Sequence, residues 1–251
     1  MKIIISPAKK MRSNLESLEY QELPHMIEYT KTLQNKMKEL SVEEAKALWK
    51  CNDKLAAQNY ERFQKMNLDS NLTPAILAYE GIQYQYMSPT VFEEEMLTYL
   101  QKHLRILSGF YGVVKPMDGV VPYRLEMQAK LHIEQAKNLY EYWGKNLYEV
   151  IKKDAGGQPL VIINLASKEY SDCIEKYLSP EDRFITCIFG ELVGDKVVQK
   201  GTYAKMARGE MVRFMAENNI EEIEGITKFN RLNYCYNEKL STQNKLIFLL
   251  Q

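Results

Sequence analysis

Apolar and polar residues follow one another along the chain in patterns that predict both strands and helices. Mostly apolar runs of strand length occupy residues 2–6 and 160–165. Residues 184–192 and 196–200 flank a Gly194-Asp195 turn and predict a β-hairpin. Further strands are predicted at the other short apolar or alternating runs, which are 75–79, 84–87, 122–127, 232–236 and 246–250.

Helices are predicted where apolar residues recur at intervals of three and four, at 27–40, 42–49, 54–66, 90–100, 135–152 and 203–218. Ser41 followed by Glu44 is a capping box that starts the second of these helices. Thr90 and Ser167 are predicted as N-caps further along. The adjacent helices 42–49 and 54–66 predict a helical hairpin over residues 42–66.

Because strands are joined both by helices and by hairpin turns, we expect a mixed sheet in a mixed α/β (α+β) fold. The chain has no repeat and no linker, so a single domain over residues 1–251 is expected.

Composition narrows the class of protein. Apolar residues make up 45% and charged residues 26% of the chain, as in ordinary globular proteins. No window approaches the roughly 20 apolar residues of a membrane span, and the first residues lack a signal-peptide cleavage site. A cytoplasmic protein without a membrane partner is expected. The four cysteines and three histidines show no metal-ligand spacing, so neither a metal nor a cofactor is predicted.

Charge is balanced overall but not locally. The 33 basic and 33 acidic side chains give a net charge of zero. Residues 102–132 nevertheless carry five Lys or Arg against two acids, and residues 195–213 repeat that excess of three. A local positive field can exist in a neutral protein and would favour an anionic ligand such as nucleic acid.

Glycines accompany both basic segments. Ser108, Gly109, Tyr111 and Gly112 belong to a short loop in which backbone amides can approach a ligand, although it is neither a Walker loop nor GxGxxG. A turn packed into the core is an equal alternative. Lys205 and Arg208 share one face of the last predicted helix, which is alternatively a solvated face. Gly209 follows within that helix and indicates that something approaches it closely.

Two further positions could contact a ligand. Ser167 lies where a strand ends and a helix begins, a common place for anions, although simple capping explains it as well. Tyr123 could stack on a base or simply pack in the core.

At these motifs the chain resembles the YaaA family of peroxide stress proteins. The resemblance runs nearly end to end through ISPAK at 5–9, HLRILSGFYGV at 103–113, PYRLEM at 122–127, LYEYWG at 139–144, INLAS at 163–167 and AKMARG at 204–209. It implies a bacterial cytoplasmic protein of the peroxide response, associated with DNA repair and with limiting damage from free iron. It also implies a family-specific fold with a positively charged cleft and a helix-hairpin-helix motif that binds DNA.

The helical hairpin at 42–66 is the candidate for that motif. Its turn lacks the usual glycines, so either the backbone amides with Lys50 and Lys54 hold phosphate, or the hairpin is structural.

Three functions follow as hypotheses. The leading one is sequence-nonspecific binding of double-stranded or branched DNA. Its candidate anion-binding residues are Lys9, Lys50, Lys54, Arg105, Ser108, Gly109, Tyr111, Gly112, Lys115, Tyr123, Arg124, Lys205, Arg208 and Gly209.

The alternative is an enzyme acting on a nucleotide, a nucleobase or a nucleic-acid end, with Glu126 as general base and Lys9 and Ser167 as further catalytic candidates. An internal ion pair of Glu126 with Arg124 or Arg105 is the structural alternative. A third hypothesis, a role in limiting free iron, has no clustered ligands to support it. The oligomeric state stays open.

Overall fold

The computed structural model describes residues 1–13 and 18–251, and a mixed β-sheet lies at its centre. The strands are β1 (Lys2–Ile5), β2 (Lys10–Met11), β3 (Thr73–Pro74), β4 (Tyr79–Glu80), β5 (Leu104–Ser108), β6 (Gly112–Val114), β7 (Gly119–Val120), β8 (Val161–Leu165), β9 (Arg183–Val193), β10 (Lys196–Val198), β11 (Tyr234–Tyr236) and β12 (Lys245–Leu250). The helices are α1 (Ile27–Glu39), α2 (Val42–Trp49), α3 (Asp53–Lys65), α4 (Ala75–Ala78), α5 (Ile82–Met87), α6 (Glu94–His103), α7 (Leu139–Trp143), α8 (Asn146–Asp154), α9 (Lys168–Glu175), α10 (Gly201–Glu217) and α11 (Ile223–Ile226), with 3-10 turns at Pro89–Val91 and Glu238–Leu240.

The central sheet has the order β11-β12-β9-β8-β1-β5-β6, with β10 paired to β9 as a hairpin. Its inner strands β12, β9, β8, β1 and β5 run parallel, whereas β11 and β6 are antiparallel to their neighbours. All three isoleucines of β1 are fully buried, as expected of a strand covered on both faces of a parallel sheet. The predicted mixed α/β fold is thus confirmed.

Local signals placed several elements correctly. The Ser41 hydroxyl accepts a hydrogen bond from the Glu44 amide at 3.2 Å, and the Glu44 carboxylate accepts one from the Ser41 amide at 2.8 Å. This capping box starts α2 at the predicted residue. Asn52 caps α3, so the predicted helical hairpin is present. Its turn contains Lys50 at φ 46°, a left-handed conformation that glycine would adopt with less strain.

Two predicted strands are wrong. Residues 75–78 form helix α4, and residues 82–87 form helix α5. Both segments are short and rich in buried side chains, and at that length an apolar run does not distinguish a strand from a buried helix. Contacts distant in sequence decide the outcome, because α5 lies against α10.

Three other expectations need correction. Residues 122–127 pair with no strand in the described chain and form a strap, in which Leu125, Glu126 and Met127 are all buried. The helix predicted over 90–100 begins later, with Glu93 rather than Thr90 at its N-cap. The helix predicted over 135–152 is two helices, because Gly144 at φ 50° breaks it between α7 and α8.

Candidate functional site

A topological switch point lies between β1 and β8. These neighbouring parallel strands send the chain in opposite directions, since β1 leads to β5 on one side and β8 leads to β9 on the other. Ligands of open α/β sheets bind in the crevice outside the carboxyl ends of strands at such a point. Ser6 and Ser167 lie there. The Ser167 amide donates to the Ser6 hydroxyl at 2.9 Å, and the Ser6 hydroxyl donates to that of Ser167 at 3.2 Å.

Ser167 is therefore the N-cap residue of α9 by position only. Its hydroxyl makes no capping bond with the helix and instead contacts Ser6 across the two strand ends. This corrects the expectation that Ser167 serves as a side-chain cap.

A cavity of about 410 Å³ opens at this edge of the sheet. Five stretches that are distant in sequence line it, namely residues 6–10, 80–84, 123–126, 167–170 and 205–208. They bring together seven of the candidate residues, which are Lys9, Tyr123, Arg124, Glu126, Ser167 and the pair Lys205 and Arg208 on α10. The sequence motifs that seemed separate thus meet in one cleft.

The cations of the cleft differ in their partners. Lys9 Nζ and an Nη of Arg124 each lie 3.2 Å from Oε1 of Glu126. Lys205 and Arg208, in contrast, form no ion pair with any residue that the structure describes. Burial lowers the pKa of Arg208, yet a guanidinium stays charged in proteins. A partly desolvated cation without an anion is an arrangement that a bound anion would stabilise.

Hydrogen bonding is incomplete in the same place. Four buried polar atoms of the cleft have no hydrogen-bond partner within the described residues: Nε of Arg124, Nε of Arg208, Nε2 of Gln83 and Oε1 of Glu126. The contacts of Glu126 with its two cations are close but not in hydrogen-bond geometry. Because buried polar groups are normally paired, their concentration at one cavity indicates a site that a ligand completes. These atoms are shielded from solvent, so a ligand would reach them only after a change of rotamer.

A second carboxylate borders the cleft. Glu169 accepts a hydrogen bond from the Gln128 amide at 3.2 Å. Burial raises the pKa of Glu169 above its ordinary value, and the nearby charge of Glu126 acts in the same direction.

The glycine-containing loop after β5 supports the cleft from behind. The Ser108 hydroxyl accepts hydrogen bonds from the amides of Phe110 and Tyr111 and contacts the Tyr123 hydroxyl at 2.6 Å. A Cβ on Gly109 would lie 2.5 Å from the Leu125 carbonyl oxygen. Gly109 thus lets the strap that carries Arg124 and Glu126 pack directly on the sheet.

Other residues of that loop are also internal. Tyr111 is buried, and its hydroxyl accepts a hydrogen bond from the Val121 amide at 3.1 Å. Gly112 adopts φ +77° beside the ring of Trp143. This loop is thus a turn packed into the core, which was the alternative to ligand contact. The cavity is not lined by any of its four candidate residues, Ser108, Gly109, Tyr111 and Gly112.

Three predicted cations lie elsewhere. Arg105 is 2% exposed near the amino end of β5, the opposite edge of the sheet, where its Nε donates to Asp154 at 2.8 Å. Lys115 pairs with Glu22 at 2.6 Å, and Lys54 is exposed at the start of α3. None of the three lines the cleft.

Lys50 belongs to a neighbouring cavity of about 700 Å³. This second cavity shares Lys9 and Glu126 with the cleft and adds the basic side chains of Lys36, Lys50, Lys130 and His132. The end of α2 in the helical hairpin therefore borders the same surface as the cleft.

Gly209 is approached closely, as predicted, but by protein. A Cβ there would lie 2.0 Å from the Gln83 carbonyl oxygen of α5. This contact draws α5 against α10 and places Gln83 beside Arg208 in the lining of the cavity. Sequence reasoning missed Gln83, Ser6 and Glu169. Ser6 follows a predicted strand and could have been found by that position, whereas Gln83 carries no sequence signal.

Among residues 1–13 and 18–251, no set of three or more His, Cys, Asp or Glu side chains is grouped as a metal site would require. Across the same residues, no helix combines the length and the apolar character needed to cross a bilayer.

Fold and site together define a mixed α/β protein with a cationic cleft at the carboxyl edge of its sheet. A family model described as "Peroxide stress protein YaaA" matches residues 1–240. The chain belongs to this family of peroxide stress proteins. Similar proteins carry the name UPF0246 protein. That of Agathobacter rectalis is 59% identical over 248 residues, covering 99% of this chain and 98% of the relative. The relative from Lachnoclostridium phytofermentans is 55% identical over 249 residues, covering 99% and 96%.

Proposed function

We propose that this peroxide stress protein binds DNA in the bacterial cytoplasm through phosphate contacts in the cleft, without reading sequence, and thereby protects DNA or assists its repair. The observation that carries the proposal is the pair of cations on α10. Lys205 and Arg208 face a cavity and have no acidic partner among the described residues. Phosphate oxygens are the anions that a guanidinium binds best, because its fork of N–H donors matches their geometry.

The surroundings of the cleft support a path for a nucleic-acid backbone. Lys9 and Lys10 are exposed at its rim. The second cavity continues from Lys9 with further basic side chains, and Lys50 there belongs to the turn of the helical hairpin. A row of cations attracts a polyanion more strongly than any one of them, since each neutralised phosphate releases counterions. The hairpin is accordingly part of the proposed binding surface.

Replacing both Lys205 and Arg208 by glutamine is expected to weaken binding of an unrelated duplex roughly 100-fold or more at low salt. Each lost charge-assisted hydrogen bond is worth about 1.5–3 kcal/mol, and 1.4 kcal/mol corresponds to tenfold in affinity. The log–log slope of affinity against salt should become shallower by about 1.8, because about 0.9 is lost for each phosphate on duplex DNA. Fluorescence anisotropy of labelled duplexes over a salt series measures both quantities.

The matched control removes two charges at the opposite edge of the sheet. Lys153 and Lys176 are exposed, lie at the ends of α8 and α9, and make no ion pair within the described chain. Lys153→Gln with Lys176→Gln changes net charge equally and should leave the slope almost unchanged. Equal losses in the two double variants would refute a localised cleft, and an absence of binding by the unmodified protein would refute DNA binding itself.

One observation favours a second function, an enzyme acting on a nucleotide or on damaged DNA. Glu126 is a carboxylate with 8% exposure that lies between Lys9 and Arg124 at the cavity and has an oxygen without a hydrogen bond. In a site that only binds phosphate, a negative charge opposes the ligand and serves only to position the neighbouring cations, whereas an enzyme needs a proton acceptor.

Glu126→Gln separates the two functions. For an enzyme, turnover in a screen of nucleosides and damaged DNA should fall by about 100-fold or more, the usual contribution of a general base. For a binding protein, loss of the carboxylate should strengthen DNA binding, because it removes a negative charge from the cleft. No turnover by the unmodified protein, combined with tighter binding by the variant, would exclude the catalytic function.

A further inference from the structure

The polar groups of the cleft lie at two depths. The rim consists of long exposed side chains, since Lys9 is 62% and Lys10 80% exposed. The interior groups are enclosed, with Gln83 at 7%, Glu126 at 8% and the Arg124 side chain at 12% exposure. A phosphate on the outside of a double helix can reach the rim lysines. It cannot reach the interior groups unless part of the DNA enters the cavity.

The size of the cavity limits what can enter. Its volume of about 410 Å³ falls within the roughly 300–1,000 Å³ typical of small-ligand sites. A double helix is far wider than such a cavity, whereas one nucleotide is a ligand of the right class. Enzymes and repair proteins that examine a base commonly take it out of the stack and into a pocket of this kind.

The walls of the cavity suit a nucleobase. Tyr84, Tyr123 and Tyr170 line it, and all three are largely buried. The Tyr84 hydroxyl donates to the Ser6 carbonyl oxygen at 3.0 Å, and the Tyr123 hydroxyl lies 2.9 Å from that of Tyr79. These bonds fix the rings of Tyr84 and Tyr123 before a ligand arrives, so stacking on them costs little side-chain entropy. A base stacked on an aromatic side chain is stabilised by about 1–3 kcal/mol irrespective of its identity.

The unpartnered interior groups complete the match. Gln83 offers an amide donor, and Glu126 offers a carboxylate acceptor. The edge of every base in the major groove or at its pairing face carries acceptors, donors or both. Arg124 and Arg208 supply the cations for the phosphate that accompanies the base. A rotamer change brings these side chains to the ligand, as is common on binding.

We propose that the cavity receives one unpaired nucleotide of a DNA chain, with its phosphate at Arg124 and Arg208 and its base beside Gln83 and the tyrosines. This inference rests on the proposed function and adds the DNA structure that is preferred. An intact duplex must lose pairing and stacking to supply such a nucleotide, whereas a bulge, a mismatch or a single strand supplies it at lower cost.

The test compares a perfect duplex with the same duplex carrying one bulged 2-aminopurine. We expect the bulged duplex to bind at least about tenfold more tightly, and we expect the 2-aminopurine fluorescence to change on binding. Gln83→Ala should lower the affinity for the bulged duplex more than the affinity for the perfect duplex, and so reduce the preference for the bulge. Gln85→Ala is the control, because Gln85 is an exposed glutamine on the same helix. It should behave as the unmodified protein does.

The outcomes separate the inference from the function on which it rests. Equal affinities with unchanged fluorescence would overturn the inference and leave DNA binding intact. Both duplexes have the same ends. A protein that bound only DNA ends would therefore bind them equally, and this result would also overturn the inference. If the protein bound neither duplex, both proposals would be overturned. The same holds if it bound free deoxynucleoside monophosphates but no DNA. A loss of the bulge preference in the Gln85 variant would show that α5 acts through its stability rather than through Gln83.

Discussion

Replacing Arg105 by glutamine is expected to lower the free energy of unfolding by about 3 kcal/mol or more and to leave DNA affinity unchanged. The guanidinium is buried, pairs with Asp154, and donates to the Gln101 carbonyl oxygen at 3.0 Å. Breaking a buried ion pair from one side typically costs about 3–5 kcal/mol, and here the Asp154 carboxylate that remains is only partly buried, with 26% of its side chain exposed. Lys2 still lies 2.7 Å from Asp154 and should keep the loss toward the lower end of that range. Urea unfolding measures the change.

The control for this prediction is Arg183→Gln. Arg183 also lies at the amino end of a parallel strand, β9, but it is exposed and forms no ion pair with the described residues. Its replacement should change the free energy of unfolding by less than about 0.5 kcal/mol. If Arg105→Gln instead weakened DNA binding under conditions in which the variant is fully folded, Arg105 would belong to the binding surface despite its burial.

A methyl group at position 209 is expected to destabilise the protein by about 2–4 kcal/mol and to weaken ligand binding in the folded fraction. The Cβ of Gly209→Ala would stand 2.0 Å from the Gln83 carbonyl oxygen and 3.0 Å from the Met87 amide. Backbone atoms cannot swing aside as a side-chain tip can, so α5 and α10 must separate. Overpacking of this kind typically costs about 1–3 kcal/mol, occasionally more. Thermal unfolding and DNA titration measure the two effects.

Gly201→Ala is the matched substitution, because Gly201 begins the same helix and nothing lies within 4 Å of its added Cβ. Alanine should be neutral or stabilising there, since it is the better helix former. Similar losses in both variants would mean that the contact between α5 and α10 does not determine stability.

Patterns confined to a few residues were predicted well. The capping box at Ser41 and Glu44 gives both the start and the conformation of α2. The turn at Gly194 gives the β9–β10 hairpin. In both cases the interacting groups lie within four residues of one another, so a short stretch of sequence includes every group that determines the local structure.

Patterns that depend on distant partners were predicted less well. Residues 75–78 and 82–87 are apolar enough for strands, but their helical form depends on neighbours such as α10. The strap at 122–127 alternates apolar and polar residue types as a strand would, yet Glu126 is buried like its apolar neighbours, and no strand lies beside the strap among the described residues. Alternation reports burial of one side, whereas a strand also needs a partner.

The candidate site divides in the same way. Lys9, Arg124, Glu126, Lys205 and Arg208 were all named from their motifs, and all line the cleft. Arg105 was named on the same grounds, a basic segment and a family motif, but it does not line the cleft. Its neighbours Leu104 and Ile106 are apolar and fully buried, a context in which a cation is paired internally. Gln83 was missed because nothing in the sequence shows that Gly209 would draw α5 toward the cleft.

The position of β1 between β5 and β8 has a consequence for biosynthesis. Its partners begin at Leu104 and Val161, and the last cations of the cleft are at 205 and 208. A nascent chain therefore carries β1 without its partner β5 until residue 104 and without β8 until residue 161, and it lacks the last two cations of the cleft until α10 is made. Folds dominated by such distant pairings form slowly, and unpaired strand edges favour aggregation meanwhile. Occupancy of the cleft would then report that synthesis has passed α10 and that folding is complete.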